Sequence, residues 1–590
     1  MVTMAMRYRW ARSAGRAPID VPGVFPLVQQ FKFGCMSIKQ HWSATPEAVV
    51  AAGGLAGHTA WAVFLPGMIL FCMGAVSNIM VPGLYMDAVN PDYLVVRLLN
   101  PGTDMPDWTL PGTLLFGLFP VIGQIYHGAL PFYVGLPVYA LFGTGIVGVR
   151  LANLVFGLIV LVAAGVFLRV FRVRPAIAGI CLAALALDPG FLFCFRTQFY
   201  ITLLPFALLL FSVALVERRR MTPTPRLAVA AGFLAGFSAY GYFIYIFLAP
   251  VAAAHALWRW REEQNRRRLA LWWLLGLAFG GAPYLVGMLL ILIETGSVHG
   301  FLNFITSYLK GLGVAEAPTS LSQRFSYFYT MVWWTLFDVG PSMVMLQKAV
   351  PLFLPTFKLV VLLAVPALGL VVNLIRSPRS PGLFIVAGFF LGAAALVGTF
   401  GTRLWLHHVS FLPPLLYLAL ALTLELLATR FAARRAVLAA VVAIGLVLPL
   451  AAGNAIDRQA VLSELARTGG VGLTSDAVER FAEDSLHSPV PTHAFFPDWG
   501  VFMPFEMITR GRVPLTTGFT PQDARRRLCG GQDALLALMV GPGPDRLPAW
   551  IDEVGWGQPD IATYWQRDGV PVLTAIRWHA SAPVHPVCPS

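Results

Sequence analysis

The sequence predicts a polytopic α-helical membrane protein of about eleven crossings, with an α/β-type domain at its C-terminal end outside the cytoplasm. Three observations predict it. Of 590 residues, 57% are hydrophobic and only 12% are charged. Apolar runs of about twenty residues recur from position 60 to position 452, the length that crosses a bilayer. From position 454 the pattern turns polar and mixed, in a stretch of about 135 residues that suits one small domain. With a mean hydropathy of +0.70, a soluble chain of this length has too little interior for its apolar surface, so lipid is its main solvent.

The first span runs Ala60–Val81. It is followed by Ile146–Leu168, Pro175–Gly190, Ile201–Leu215, the long run Leu227–Leu257 read as a tight hairpin, Leu269–Ile293, Pro351–Val372, Pro381–Phe400, Val409–Leu427 and Ala436–Ala452. Basic clusters at Arg7–Arg16, Arg169–Arg174, Arg218–Arg226, Arg259–Arg268, Arg376–Arg379 and Arg430–Arg435 lie between these spans, and the positive-inside rule assigns all six to the cytoplasm. The net charge of +13 therefore reads as topology and lipid contact, and nucleic acid is not an expected partner. This orientation requires Ala129–Gly143, short and interrupted by Pro131, Gly135 and Pro137, not to cross. The domains expected are a basic cytoplasmic segment 1–57, a membrane domain 58–453 with a first outer loop 82–142, and an extracytoplasmic domain 454–590. Of six cysteines, Cys72, Cys181 and Cys194 read as packing residues, while Cys529 and Cys588 are free to pair if their domain lies outside.

The chemistry-bearing stretch is Tyr85-Met86-Asp87-Ala88-Val89-Asn90-Pro91-Asp92-Tyr93, directly after the first span. A carboxylate at that depth costs several kcal/mol unless it is paired, wet or working. It is placed to act as a general base on an acceptor hydroxyl. The plainer reading is a solvated loop acid or a helix cap. His407 and His408 are neighbours, so on an α-helix they would point about 100° apart. In the tail, Asp498-Trp499-Gly500 reads as a turn.

Further strings follow in order: His127-Gly128-Ala129-Leu130-Pro131-Phe132-Tyr133, Leu141-Phe142-Gly143, Val149-Arg150-Leu151, Phe156-Gly157, the glycine-spaced Gly232–Tyr242, and Leu406–Pro414. Together with the aspartate after the first span, they resemble the GT-C glycosyltransferases. The branch is that of protein O-mannosyltransferases, lipid A aminoarabinose transferases and rhizobial core transferases. The resemblance implies a sugar donor linked to a polyprenyl phosphate, an acceptor lipid, glycan or protein outside the cytoplasm, and an inverting reaction in a cell inner membrane. It implies Asp87 as base with Asp92 as supporting acid. Arg196, Arg403, Arg150 and His127 would meet the donor phosphate, and Tyr85, Tyr133, Tyr240, Tyr242 and His407 would line the substrate. Two departures stand out: Ile201 occupies the place of a family acid, and tyrosines at 240, 242 and 245 stand where relatives carry lysine. Losing that acid weakens the case for a divalent metal, since hard cations want several oxygen ligands. The rival classes are a lipid-linked sugar transporter, which predicts ionisable groups deep in the spans, and a non-catalytic membrane subunit.

Overall fold

The computed structural model describes residues 56–100, 110, 114–117, 119–218, 223–311, 320–375, 380–430, 436–498, 500–540, 547–581 and 588. The segment expected at 1–57, up to residue 55, and the Arg7–Arg16 cluster lie outside them. The membrane part runs from α1 (Ala56–Val76), through two short ribbons β1–β2 (Leu114–Leu115, Phe119–Pro120) and β3–β4 (Ile122–Gln124, His127–Gly128), to α2 (Leu130–Phe142). Next come α3 (Ile146–Val170), α4 (Pro175–Leu187), α5 (Tyr200–Glu217), α6 (Pro225–Gly241), α7 (Ala249–Arg259), α8 (Arg266–Glu294) and α9 (Val298–Gly311). Then follow α10 (Leu321–Leu336), α11 (Val339–Leu346), α12 (Pro355–Ile375), α13 (Pro381–Phe400), α14 (Leu412–Arg430) and α15 (Ala436–Thr468).

This is a multi-pass membrane protein. Among the described residues seven helices are long and apolar enough to cross a bilayer: α3, α5, α8, α12, α13, α14 and α15. An eighth forms if α4 and the turn after it, bent by 69°, make one span. The expected eleven are not reached. The hairpin read at 227–257 is indeed two helices, α6 of 17 residues and α7 of 11 preceded by a 3₁₀ turn at Phe243–Phe247, at or below the short end of what crosses a bilayer. Helix α2 has 13 residues, about 20 Å of rise against a hydrocarbon core of about 30 Å. It is too short to cross.

Helices α5 and α14 are the most enclosed, and α8 faces mostly outward. What holds α8 is close backbone approach to α6. A Cβ on Gly232 or Gly236 would strike the carbonyls of Trp273 or Leu277, and one on Gly276 or Gly280 those of Val229 or Phe233. Small residues allow this intimacy in lipid, where burying apolar area gains nothing. Amphipathic α9 follows and lays Phe301, Phe304, Ile305 and Tyr308 over Ile122 and Ile125 of the first outer loop. The Tyr308 hydroxyl donates to Gln124.

Helix α15 runs unbroken past position 453, so the drop in hydropathy there is not a break in the chain. After it come α16 (Ala477–Leu486), β5 (Thr492–Phe496), α17 (Phe502–Thr509), β6 (Leu515–Thr517), α18 (Pro521–Cys529), β7 (Asp533–Met539), α19 (Leu547–Val554), β8 (Asp560–Trp565) and β9 (Pro571–Trp578). They form an α/β region around one five-stranded sheet of order β6-β5-β7-β9-β8. Strand β5 runs parallel to both β6 and β7, and β9 pairs antiparallel with β7 and β8. Cys529 is disulfide-bonded to Cys588.

Candidate active site

The loop after α1 is held from two sides. On the membrane side, Arg196 donates from Nη1 to the carbonyls of Val81 (2.7 Å) and Asn78 (3.3 Å), and from Nη2 to those of Gly74, Ala75 and Ser77. These carbonyls include the ones left over where α1 ends, which carry the negative end of its dipole. Arg150, near the start of α3 and buried, donates to Pro82 O (2.5 Å) and Arg196 O (3.0 Å). Both guanidinium groups are thus engaged with backbone carbonyls and shape the loop. On the other side stands the C-terminal region. The Gly83 amide donates to Thr474 O (2.7 Å), Leu84 to Glu479 Oε1 (2.5 Å) and Met86 to Gly500 O (3.0 Å). Gly500, at the end of the stretch read as a turn, supplies the last of these acceptors.

So fixed, the chain makes a short 3₁₀ turn at Met86–Ala88 that leaves Asp87 half-buried. Beneath it the Tyr85 phenol accepts from the Gln198 amide at 3.2 Å. Burial pushes that phenol well above its usual range, and the Asp87 charge adds to the effect. The same carboxylate bears on the hydroxyl of Tyr242, which is buried with no hydrogen-bond partner among the described residues. From Tyr242 a chain of rings extends to His127 (5.9 Å, stacked), Tyr126 (5.9 Å) and His408 (5.7 Å, edge-on). The rings of His407 and His408 lie 4.0 Å apart and tilted to each other. They occupy a 3₁₀ turn, Leu406–Val409, in place of the α-helix that would have set them apart. Nδ1 of His127 bonds to Gly128 O (3.1 Å), and burial pushes the ring down to about 4. At neutral pH it is a dipole and not a cation.

Asp92 is placed quite differently. It is 0% exposed, and its Oδ2 accepts from the hydroxyls of Tyr139 and Tyr200, both at 2.9 Å. Oδ1 is enclosed without a partner among the described residues. Burial pushes this carboxyl up to about 7 against the pull of the two phenols.

Tyr240 and Tyr133 use their hydroxyls to pin the first outer loop. Tyr240 donates to Val121 O (2.6 Å) and accepts from the Ala129 amide, and Tyr133 donates to Pro120 O (2.7 Å). Arg403 is half-buried in the turn that ends α13, close in sequence to the His407–His408 pair. Among the described residues no group of three or more His, Cys, Asp or Glu is arranged to hold a metal ion.

One cluster escaped the sequence reading. Lys358, 3% exposed in α12, meets Asp188 at 2.9 Å and Asp338 at 2.7 Å. Tyr417 donates to Asp188 (2.7 Å) and is itself bonded by Asn454 (2.6 Å). Five chain segments meet there. Its one visible signal was a lysine inside an apolar run, Pro351–Val372.

No protein-family model matches this chain, and no curated protein is similar to it in sequence. Solved structures are similar in shape. That of ArnT from Cupriavidus metallidurans bound to undecaprenyl phosphate covers 91% of this chain and 100% of that one, at TM-score 0.54 and 12% identity. That of the arabinofuranosyltransferase AftD from Mycobacteria covers 88% of this chain and 40% of that one, at TM-score 0.42 and 17% identity. The membrane helices, the loop after α1 and the C-terminal α/β region together make a GT-C glycosyltransferase fold.

Proposed function

We propose that this protein is a membrane glycosyltransferase that moves a sugar from a polyprenyl-phosphate donor to a hydroxyl-bearing acceptor outside the cytoplasm. The observation that carries the reading is the setting of Asp87. It is the accessible carboxylate of a loop braced by two arginines and by the C-terminal region, and it stands beside an aromatic and histidine wall. The ArnT structure of the same fold contains undecaprenyl phosphate. In the reaction, Asp87 takes the proton of the acceptor hydroxyl, and the freed oxygen attacks the anomeric carbon. The carbon–oxygen bond to phosphate breaks, the polyprenyl phosphate leaves with the electron pair, and the configuration inverts. The part-exposed ring of His407 would face the sugar, with Tyr242 and His127 packed in the ring cluster behind it. Arg403, half-buried in the turn that ends α13, would meet the leaving phosphate. Residues 58–453 would form the catalytic membrane domain, with the site and residues 454–590 on the extracytoplasmic side.

A second reading, transport of a lipid-linked sugar, draws support from one observation: a lysine and two aspartates buried together within the bundle. Transfer decides between them. Purified protein in lipid, offered radiolabelled polyprenyl-phosphate sugars and an envelope extract with and without chelator, is expected to form a new glycosidic bond. Asp87→Asn is expected to lose about 10²–10⁴-fold in kcat. Near-normal turnover by that variant removes Asp87 as base, and movement of intact donor without transfer favours transport.

A further inference from the structure

We infer that the C-terminal α/β region is a working part of the active site, and that Glu479 is the residue through which it positions the loop bearing Asp87. The inference rests on the proposed role of Asp87 and goes beyond it, since Glu479 touches neither donor nor acceptor.

Three consecutive attachments join the two parts within four residues of Asp87. They are the amides of Gly83, Leu84 and Met86, bonded to Thr474 O, Glu479 Oε1 and Gly500 O. Only the middle one uses a side chain. Glu479 projects from α16, is almost wholly buried, and leaves its second oxygen without a hydrogen-bond partner among the described residues. A buried carboxyl is costly unless it is put to use. Burial pushes this one up to about 8, against the pull of the Leu84 amide and of Arg150 and with a small push from Asp476. At neutral pH it is therefore mostly a neutral acid that still accepts from Leu84.

The fit leaves no slack. A Cβ on Gly83 would run into Ser475 O and the Glu479 carboxyl. Arg150 completes the clamp, holding Pro82 O from the membrane side while its charge bears on Glu479. Residues 82–86 are thus gripped between α3 and α16. A second contact beside this one, Thr144 Oγ1 to Met507 O at 2.6 Å, keeps the two parts in register. A general base must sit within hydrogen-bond reach of the proton it takes, and a displacement of 1 Å from a remote change can cost about 10²-fold.

The test uses the full chain in lipid nanodiscs, read by hydrogen exchange of the peptide spanning 82–88 and by transfer kinetics. Glu479→Ala is expected to speed exchange in that peptide and to lower kcat by about 10²-fold with KM for the donor unchanged. Glu479→Gln, which resembles the neutral acid and keeps an acceptor oxygen, is expected to recover most of both. If Glu479→Ala loosens the whole chain, Gly83→Ala decides, because it parts the same two surfaces from the other side. Wild-type exchange and turnover in Glu479→Ala, or in Gly83→Ala where that variant decides, overturn the inference. Exchange reports on the latch even if wild type transfers no sugar, so a failure of the latch is distinguishable from a failure of the proposed reaction.

Discussion

Replacing Asp92 by asparagine is expected to change how stability depends on pH. The folded carboxyl sits at about 7 against 3.8 for a free aspartate, a shift of about three units, and each unit is worth about 1.4 kcal/mol. Because the folded-state value is raised, the folded protein holds the proton more tightly than the unfolded chain does. This group's contribution is therefore most favourable below pH 4 and is lost as pH rises through 7, by about 4 kcal/mol in all. Asparagine keeps one carbonyl oxygen for Tyr139 and Tyr200 and never ionises. The variant should therefore gain on wild type by about 1.4 kcal/mol per pH unit between pH 4 and 7, and the gain should level off above pH 7. Thermal unfolding of both proteins in one detergent at pH 5, 6, 7 and 8 measures the difference. A gap between the two midpoints that stays constant across that range refutes the reasoning, for it would mean that Asp92 is ionised in the fold at every pH tested. Kinetics of the same variant report on the supporting-acid role inferred from the family resemblance.

Two further outcomes follow from buried charge. Lys358→Met leaves Asp188 and Asp338 facing each other without their cation. Breaking such a pair costs about 3–5 kcal/mol, so its unfolding midpoint should fall, and adding Asp338→Asn to the same chain should restore part of the loss. Arg196→Ala should lower thermal stability with no donor present, because the carbonyls at the end of α1 lose their donors. Arg196→Lys should not repair it, since one ammonium cannot reproduce the spread of a guanidinium. A defect seen only when donor is added would instead assign Arg196 to the phosphate.

The membrane architecture was legible because apolar length alone reports a span, and α3, α5, α8 and α13 fall where the runs predicted. Prolines and glycines likewise marked α2 as non-crossing. The count of eleven is not confirmed, because a run's apolar length does not show where its helices stop, and the two arms of the 227–257 hairpin have only 17 residues in α6 and 11 in α7. At the site, the sequence singled out the Asp87–Asp92 stretch but had no means of separating its two acids. What buries Asp92 is Tyr139 and Tyr200, distant in sequence and brought in by α2 and α5. The same distance hid Lys358, whose partners Asp188 and Asp338 come from two other segments and which alone looks like a snorkelling lysine. Arg150 and Arg196 were visible as cations near span ends, but only the fold shows them turned inward to carbonyls. Glu479 carried no signal, being one acid on an amphipathic helix.

The bracing of residues 82–86 by Thr474, Glu479 and Gly500 also bears on biosynthesis. At about 5–20 residues per second, the ribosome needs roughly 20–80 s to travel from position 87 to position 500. During that interval the early helices are already being placed in the bilayer, while the amides of Gly83, Leu84 and Met86 lack their eventual acceptors. Asp87 is made long before the groups that set its loop in place. A nascent chain stalled before position 474 would hold every helix of the bundle and still lack the acceptors that hold the loop bearing Asp87, the base of the proposed reaction.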